Sequence, residues 1–506
     1  MYNNSLIFGR DNREGIVSVE ADGSGLVLFK EINGKVEKEV IPNKYWLITD
    51  KRVSSKQTEL KGNQFYKYLA TFDDLDLQRA ARQSCKKAKV GLYDIWDTKE
   101  SSIVYQGITY FKGLKPKEVS ILFFDIETTG LVHDQNSKVL LISNTFRKND
   151  KIVKKLFAYD EYKTEADMLE SWARWVREID PSLMCGHNIL GYDLPYMQHC
   201  ANLNDTSLKL GRDRSELRFN PYTSAFRKDG SQDIDYYNAY IYGREIVDTM
   251  FLSYKYDVGR KYESYGLKAI IKHEGLEKKD RVFYDADEIR YKYKNPEEWK
   301  KIKQYAIDDS DDAMSLYDLM VPALFYFTQS VSKPFQMMVN SATGSQINNI
   351  MVRSYLQDNH SIAKSDEPYY FKGAISFGVP GLYSNCFKQD VSSLYPSIIR
   401  QYEIYNKQKD PNANFLKIVE YFTIERLKNK KLAKETKDTY YTDLEQSQKI
   451  AINSGYGVLG APGLNYNYIP GADMVTAKGR EILEKAIVFS TGYNVDYWKR
   501  KAGIDE

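Results

Sequence analysis

Over residues 1–118 the hydrophobic positions come in short runs broken by turn residues. Val17-Ser18-Val19-Glu20 is followed by Ala21-Asp22-Gly23-Ser24-Gly25 and then by Leu26-Val27-Leu28-Phe29, and Glu31-Ile32-Asn33-Gly34 carries a hairpin signal. The pattern predicts a β-rich module with a helical insert near Leu75–Lys87. Between 119 and 325 apolar strand runs alternate with amphipathic helices, as in an α/β domain. Residues 119–124 read as a buried strand. Residues 165–178 set Met168, Leu169, Trp172, Trp175 and Val176 at helical spacing, and a long helix is expected over roughly 296–320. Residues 326–390 read as a mixture of helix and strand, and 415–460 return to helix. The expected fold is therefore a multidomain protein of α/β and α+β class.

Length and composition narrow the setting. A chain of 506 residues suggests about three domains, and 42% apolar residues suffice for real cores. No apolar run reaches the ~20 residues of a membrane helix. Met1-Tyr2-Asn3-Asn4 does not open a signal peptide, so a cytoplasmic protein without membrane partners is expected. Cys85, Cys185, Cys200 and Cys386 form no Cys-x-x-Cys pair and read as small buried hydrophobes in a reducing compartment. A net charge of +3 does not by itself mark a nucleic-acid binder. The 41 tyrosines include aromatic faces that can stack on bases, although most are accounted for by packing at the core–surface boundary.

Candidate chemistry begins at the end of the 119–124 strand, in Asp125-Ile126-Glu127-Thr128-Thr129-Gly130. Residues i and i+2 of a strand face one side, so Asp125 and Glu127 point together, and such a pair is costly without a cation. Alone the triplet is weak, since an acid-x-acid pattern arises by chance about once in 60 residues. Asp193 lies in Gly191-Tyr192-Asp193-Leu194-Pro195, at a loop-to-helix junction where it serves either as a cap or as a ligand. Tyr305 and Asp309 are i and i+4 on the late helix and share a face. Asp308, Asp311 and Asp312 read as exposed acids of that helix. A tyrosine one turn before a carboxylate suits the positioning of an attacking water.

In this order the three segments resemble the exonuclease motifs of the DnaQ-like, RNase H-fold 3′→5′ exonucleases. The resemblance implies that Asp125, Glu127, Asp193 and Asp309 hold two divalent ions, with Tyr305 beside them. Magnesium suits an all-carboxylate site that leaves room for water and phosphate, with manganese as the alternative.

A second group follows. Asp390-Val391-Ser392-Ser393-Leu394-Tyr395-Pro396-Ser397-Ile398 resembles motif A of family B (α-like) DNA polymerases. Lys449, Asn453 and Tyr456 fall at i, i+4 and i+7 in a segment similar to motif B, and Arg426 and Lys430 resemble the Arg-x3-Lys of the opposing finger helix. The resemblance implies that Asp390 holds catalytic metal. It implies further that Ser392, Ser393, Leu394 and Tyr395 meet the triphosphate and sugar. Arg426, Lys430 and Lys449 would reach phosphates, and Asn453 and Tyr456 would face the nucleotide and the nascent base pair. Arg244 and the Ser264-Tyr265-Gly266-Leu267 run also fit the family.

By this resemblance, most like the tailed-phage branch, the chain comprises an N-terminal domain (1–118 plus 326–365), an RNase H-like exonuclease domain (119–325), a partial palm (366–414 and 462–506) and helical fingers (415–461). The implied activity is DNA-directed DNA polymerisation with 3′→5′ proofreading, on a DNA primer–template with deoxynucleoside triphosphates. Two departures stand out. Phe371-Lys372-Gly373-Ala374 replaces the family's Tyr-x-Gly-Gly, and residues 458–506 contain no Asp-x-Asp, the family's motif C. The expectation is one piece of a split polymerase whose second chain supplies motif C and the thumb, with a sliding clamp as an additional partner. The alternatives are a free-standing exonuclease whose polymerase region only binds DNA, a nucleic-acid-binding module, and a partial gene.

Overall fold

The computed structural model describes residues 2–227, 233–391 and 393–504. The chain divides into two compact units. The first comprises Met1–Asn3, Asp11–Tyr45 and Ile95–Ala342; the second comprises Asn4–Arg10, Trp46–Asp94 and Thr343–Glu506.

The first unit contains two principal sheets. Strands Ile16–Asp22, Gly25–Ile32 and Lys35–Ile41 form an antiparallel meander. Its second turn falls on Asn33 and Gly34, both at positive φ, as the hairpin signal requires. The larger sheet has five strands in the order Lys151–Ala158, Val139–Lys148, Ile121–Thr128, Leu183–Gly186, Glu245–Asp248. The first three pair antiparallel and the last two run parallel to Ile121–Thr128, which gives a mixed five-stranded sheet. The central strand is apolar because it is covered on both faces: Ile121, Leu122, Phe123 and Phe124 are all fully buried.

Two helices cover this sheet. Glu165–Ile179 is capped by Thr164 and buries Met168, Leu169, Trp172, Trp175 and Val176, the stripe legible in the sequence. Trp172 packs against Phe124 and donates its indole N–H to Asn144 Oδ1 at 2.9 Å. Pro296–Thr328 runs 33 residues from an Asn295 cap. It packs Tyr317 against Phe123 and buries Trp299, Ile302, Tyr305 and Ala306 beside Leu140 and Leu141. Asp308, Asp311 and Asp312 are buried, not exposed as the helical pattern suggested. Each faces a donor that no local periodicity reveals. Asp308 accepts from Val282 N at 2.9 Å, Asp311 from Thr145 Oγ1 at 2.9 Å and from Lys154 and Lys278, and Asp312 from Arg281 Nε at 2.7 Å.

In the second unit, a small sheet orders Thr58–Glu59, Tyr68–Phe72, Tyr45–Thr49 and Leu92–Tyr93. Helix Leu75–Lys87 is capped by Asp74, and helix Gly344–Gln357 leads to isolated bridges Lys61–His360 and Tyr66–Ile362. Asn414–Thr436 and Thr439–Gly460 form a helical hairpin that turns at Lys437, which has positive φ. Ile469–Thr491 and Val495–Lys501 follow.

The strand content expected within 326–390 is not found. Beyond the two bridges the segment is helical up to Gln357, and residues 364–391 carry neither helix nor strand. A strand persists only with a hydrogen-bonded neighbour, and among the described residues none pairs with 364–391.

Candidate active site

Asp125 and Glu127 leave the central strand on one side, two residues apart, as the alternation of a strand requires. Asp309 comes to them from the long helix. One carboxylate oxygen of each lies within 4.8 Å of the other two. Asp193 begins the helix Asp193–Leu203 and is 3% exposed. It does not cap that helix through its side chain, and its Oδ1 is buried without a hydrogen-bond partner. A buried carboxylate oxygen left unpaired is costly unless a cation reaches it.

The electrostatics describe an anionic site short of positive charge. Burial, and then the charges of Asp193, Asp309 and Glu127, push the Asp125 carboxyl well above the usual carboxylate range. Burial and Asp309 do the same to Glu127. Burial and then Asp248 push Asp193 up to about 8. Burial also raises Asp309, against the pull of Lys268 and Arg281. Like charges this close cannot all ionise without cations, and a divalent ion reverses that balance. The donor set, all carboxylate, suits a hard oxygen-seeking cation.

Tyr305 sits one turn before Asp309. Its hydroxyl is held well above its ordinary pKa by burial and by Asp309, Glu127 and Asp125, so it remains protonated. Lys268 donates to it, and Lys268 Nζ lies 3.9 Å from Asp309 Oδ2. Arg281 pairs with Asp309 Oδ1 and donates Nε to Asp312.

The loop that carries Asp193 is built on Asp248, which is fully buried at the end of strand Glu245–Asp248. Its carboxylate accepts from Asn188 N at 2.8 Å, Leu190 N at 3.0 Å and Met250 N at 3.0 Å. His187 is held at both ring nitrogens, 2.9 Å from Thr249 Oγ1 and 2.8 Å from Tyr265 O, and burial lowers it to about 4, so the ring is neutral. Gly186 admits no side chain, because a Cβ there would lie 2.7 Å from Phe124 O. Arg244 pairs with Asp180 at 2.8 Å and donates to Leu210 O, bracing the start of the neighbouring strand.

Lys268, Arg281 and Asp248 are the site residues that motif reading missed. Lys268 directly follows the Ser264–Leu267 run, which is a usable signal; Arg281, in Lys278-Lys279-Asp280-Arg281, has none.

The second group lies in the second unit. Asp390 is on the exposed irregular segment, and Ser392 lies outside the described residues. Ser393 has positive φ and precedes helix Leu394–Gln401. Its Oγ accepts from Arg426 Nη1 at 2.7 Å, while Arg426 Nε pairs with Glu445 at 2.7 Å. Leu394 and Tyr395 are half-buried, and the Tyr395 ring packs on Tyr456 at 4.8 Å between centroids. Lys449 and Asn453 are exposed one turn apart, and Lys430 is exposed on the facing helix. Arg480 donates to Lys372 O at 2.7 Å and Gly373 O at 2.5 Å, fixing the Phe371–Ala374 departure to helix Ile469–Thr491. Among the described residues Asp125, Glu127 and Asp309 are the one cluster of three metal-ligating side chains, and Asp390 belongs to no such cluster.

Residues 104–270 match the family described as DNA polymerase family B, exonuclease domain. The chain is similar to a DNA polymerase of Pyrococcus glycovorans, 25% identical over 434 residues (76% of this chain, 54% of that protein). It is also similar to the DNA polymerase delta catalytic subunit of Candida albicans, 24% identical over 437 residues (74% and 41%). The family B DNA polymerase from the hyperthermophilic archaeon Pyrobaculum calidifontis shares the fold, with a TM-score of 0.75 and 18% identity over 94% of this chain and 71% of that one. The chain spans about half the length of the curated relatives it matches. The exonuclease-domain match and these relatives together show similarity to family B DNA polymerases, the family model itself being confined to residues 104–270. These relatives are archaeal and eukaryotic and do not single out the tailed-phage branch.

Proposed function

We propose that the first unit is a 3′→5′ DNA exonuclease that hydrolyses the terminal phosphodiester with divalent metal, and that it proofreads for the polymerase to which the second unit belongs. The observation that carries this reading is the convergence of Asp125, Glu127 and Asp309 within 4.8 Å, with the unpaired Asp193 beside them. Asp125, Glu127, Asp193 and Asp309 would hold the ions, magnesium being the natural choice. When bound, the ions supply a hydroxide-like water and stabilise the leaving oxygen. Tyr305, protonated by virtue of its surroundings, orients the attacking water through its hydroxyl. Single-stranded DNA should be shortened from its 3′ end in magnesium, and the double variant D125A/E127A should be inert. Digestion that persists in that variant refutes the assignment.

The second unit is read as the nucleotide-facing part of a polymerase. Asp390, Ser393, Leu394 and Tyr395 would lie under the triphosphate and sugar, opposite Arg426, Lys430, Lys449, Asn453 and Tyr456. Two-ion phosphoryl transfer needs a further carboxylate, and residues 458–506 provide no Asp-x-Asp. Beside Asp390 lies a cavity of about 950 Å³ lined by Ile375, Phe387, Val391, Leu483 and Ile487 among others. A strand-forming segment with the missing carboxylates would fit there, supplied by a second polypeptide. Primer extension should appear on addition of that polypeptide. Exonuclease activity without any extension in the mixture would leave the free-standing exonuclease as the better reading.

A further inference from the structure

Arg281 reaches the site from a loop, not from any of the elements that carry the carboxylates, and its side chain is 1% exposed. Four contacts hold it. Nη2 pairs with Asp309 Oδ1, Nε donates to Asp312 Oδ2 at 2.7 Å, and Nη1 donates to Val282 O at 2.9 Å. The guanidinium also stacks over the Phe283 ring at 4.7 Å from its centroid. A guanidinium fixed on so many sides does not swing away when another cation approaches. The other Asp309 oxygen, Oδ2, has no guanidinium contact: Lys268 Nζ stands 3.9 Å from it with its side chain 38% exposed, and the carboxylate also meets the Tyr305 hydroxyl.

On the reading that Asp309 holds a catalytic ion, we infer that Arg281 is a positioning residue that reserves Asp309 Oδ1 for itself and leaves Oδ2 as the single oxygen open to metal. Two consequences follow from charge. Arg281 fixes the Asp309 carboxylate plane, and its buried positive charge lowers the affinity of the empty site for a divalent ion, so that the incoming phosphate is needed to complete binding. Asp312 moderates this. It is 1% exposed, pairs with Arg281 Nε beside the Nη2 that holds Asp309, and shares the guanidinium charge between two acids.

The opposite effects of the two partners give the test. Mn2+ binding to the full chain is measured by calorimetry and by Mn2+ electron paramagnetic resonance in the absence of DNA, alongside kcat for single-stranded DNA. R281Q removes a buried positive charge and should tighten Mn2+ binding about tenfold while lowering kcat at least about tenfold, because Asp309 is no longer held in place. D312N leaves Arg281 with Asp309 as its one acidic partner and should weaken Mn2+ binding. A purely structural ion pair would lower the unfolding midpoint in both variants and leave the Mn2+ affinity of the folded protein unchanged. Shifts of one sign in both variants, or no shift in either, overturn the inference. If R281Q does not fold, D312N decides alone: weaker binding supports the role, and unchanged or tighter binding removes it. Wild-type protein that binds no Mn2+, or binds it equally well as D125A/E127A, defeats the active-site reading itself and is thereby distinguished from failure of the Arg281 role.

Discussion

Asp309 and Asp311 stand two residues apart on one helix, and both are buried, yet they face opposite kinds of surroundings. Asp309 meets Asp125 and Glu127 as well as Arg281, and burial raises it; Asp311 meets Lys154, Lys278 and Thr145 and is held below its usual range by them in spite of its burial. D311A should therefore destabilise the protein by roughly 2–3 kcal/mol, less than a fully buried pair because both lysines are partly exposed. Turnover per folded molecule should be retained. A urea titration paired with active-site-normalised exonuclease rates separates the two effects. Y305F should show the reverse if the proposed role holds: an unchanged urea midpoint and a rate lower by about 10²-fold or more, since only the hydroxyl proposed to orient water is lost. At this scale the sequence was readable where a motif fixed the residue's neighbours, as for Asp125, Glu127 and Tyr305. It was unreadable where burial depended on a distant loop. Nothing in the helical periodicity of 308–312 shows that Arg281, Lys278 and Lys154 converge on it, so those acids looked solvated.

Among the elements, strand Glu245–Asp248 carries the sharpest local conflict. Glu245 is 2% exposed and accepts from Tyr110 OH at 3.0 Å and Gln336 N at 2.9 Å. Burial lifts it to about 7, partly offset by Lys99. Its folded pKa thus exceeds its unfolded value near 4.3. The folded state binds the extra proton between those values, so this contribution to stability is complete below about pH 4 and is lost as pH rises through 7. The protein should lose about 3–4 kcal/mol over that interval, and E245Q should flatten the dependence; urea midpoints at pH 5 and pH 7.5 measure both. A slope that E245Q leaves intact would assign the effect to other groups. The elements themselves were largely legible. The helix Leu75–Lys87, the Asn33-Gly34 hairpin and the 165–178 stripe followed from period and turn chemistry. The 326–390 strands did not, because pairing depends on a neighbouring strand that local sequence does not specify.

For the whole molecule, the cluster of Asp125, Glu127 and Asp309 lies within the first unit, and the segments that resemble motifs A and B lie within the second. The first unit is not a simple excision of 119–325. Ser120 N and Oγ and Ser182 Oγ all donate to the buried Glu31, Phe111 stacks on Phe325 at 4.1 Å, and Ser332 Oγ donates to Ile108 O at 2.6 Å. A fragment limited to 119–325 would expose Phe325 and strand the Ser120–Ser182 pair without its carboxylate, so it should melt well below the full chain in a circular dichroism scan.

The second unit makes the complementary prediction. Its segment 364–391 has neither helix nor strand, and Tyr370, Leu382 and Phe387 are exposed along it, as is Phe489 on the helix Ile469–Thr491. The segment has no ladder or helix to protect its amides, Asp366 N to Asn467 Oδ1 aside, and open amides exchange fast. A polypeptide that pairs with this segment and fills the cavity beside Asp390 should slow amide exchange over 364–391 by at least about tenfold, because each ladder hydrogen bond must then open before exchange. The exonuclease rate of the first unit should not need that partner, whereas primer extension should appear only with it. Hydrogen exchange read by mass spectrometry, with and without the candidate polypeptide, tests the pairing apart from catalysis. Extension gained with 364–391 still unprotected would place the added carboxylates elsewhere and remove this segment from the polymerase site.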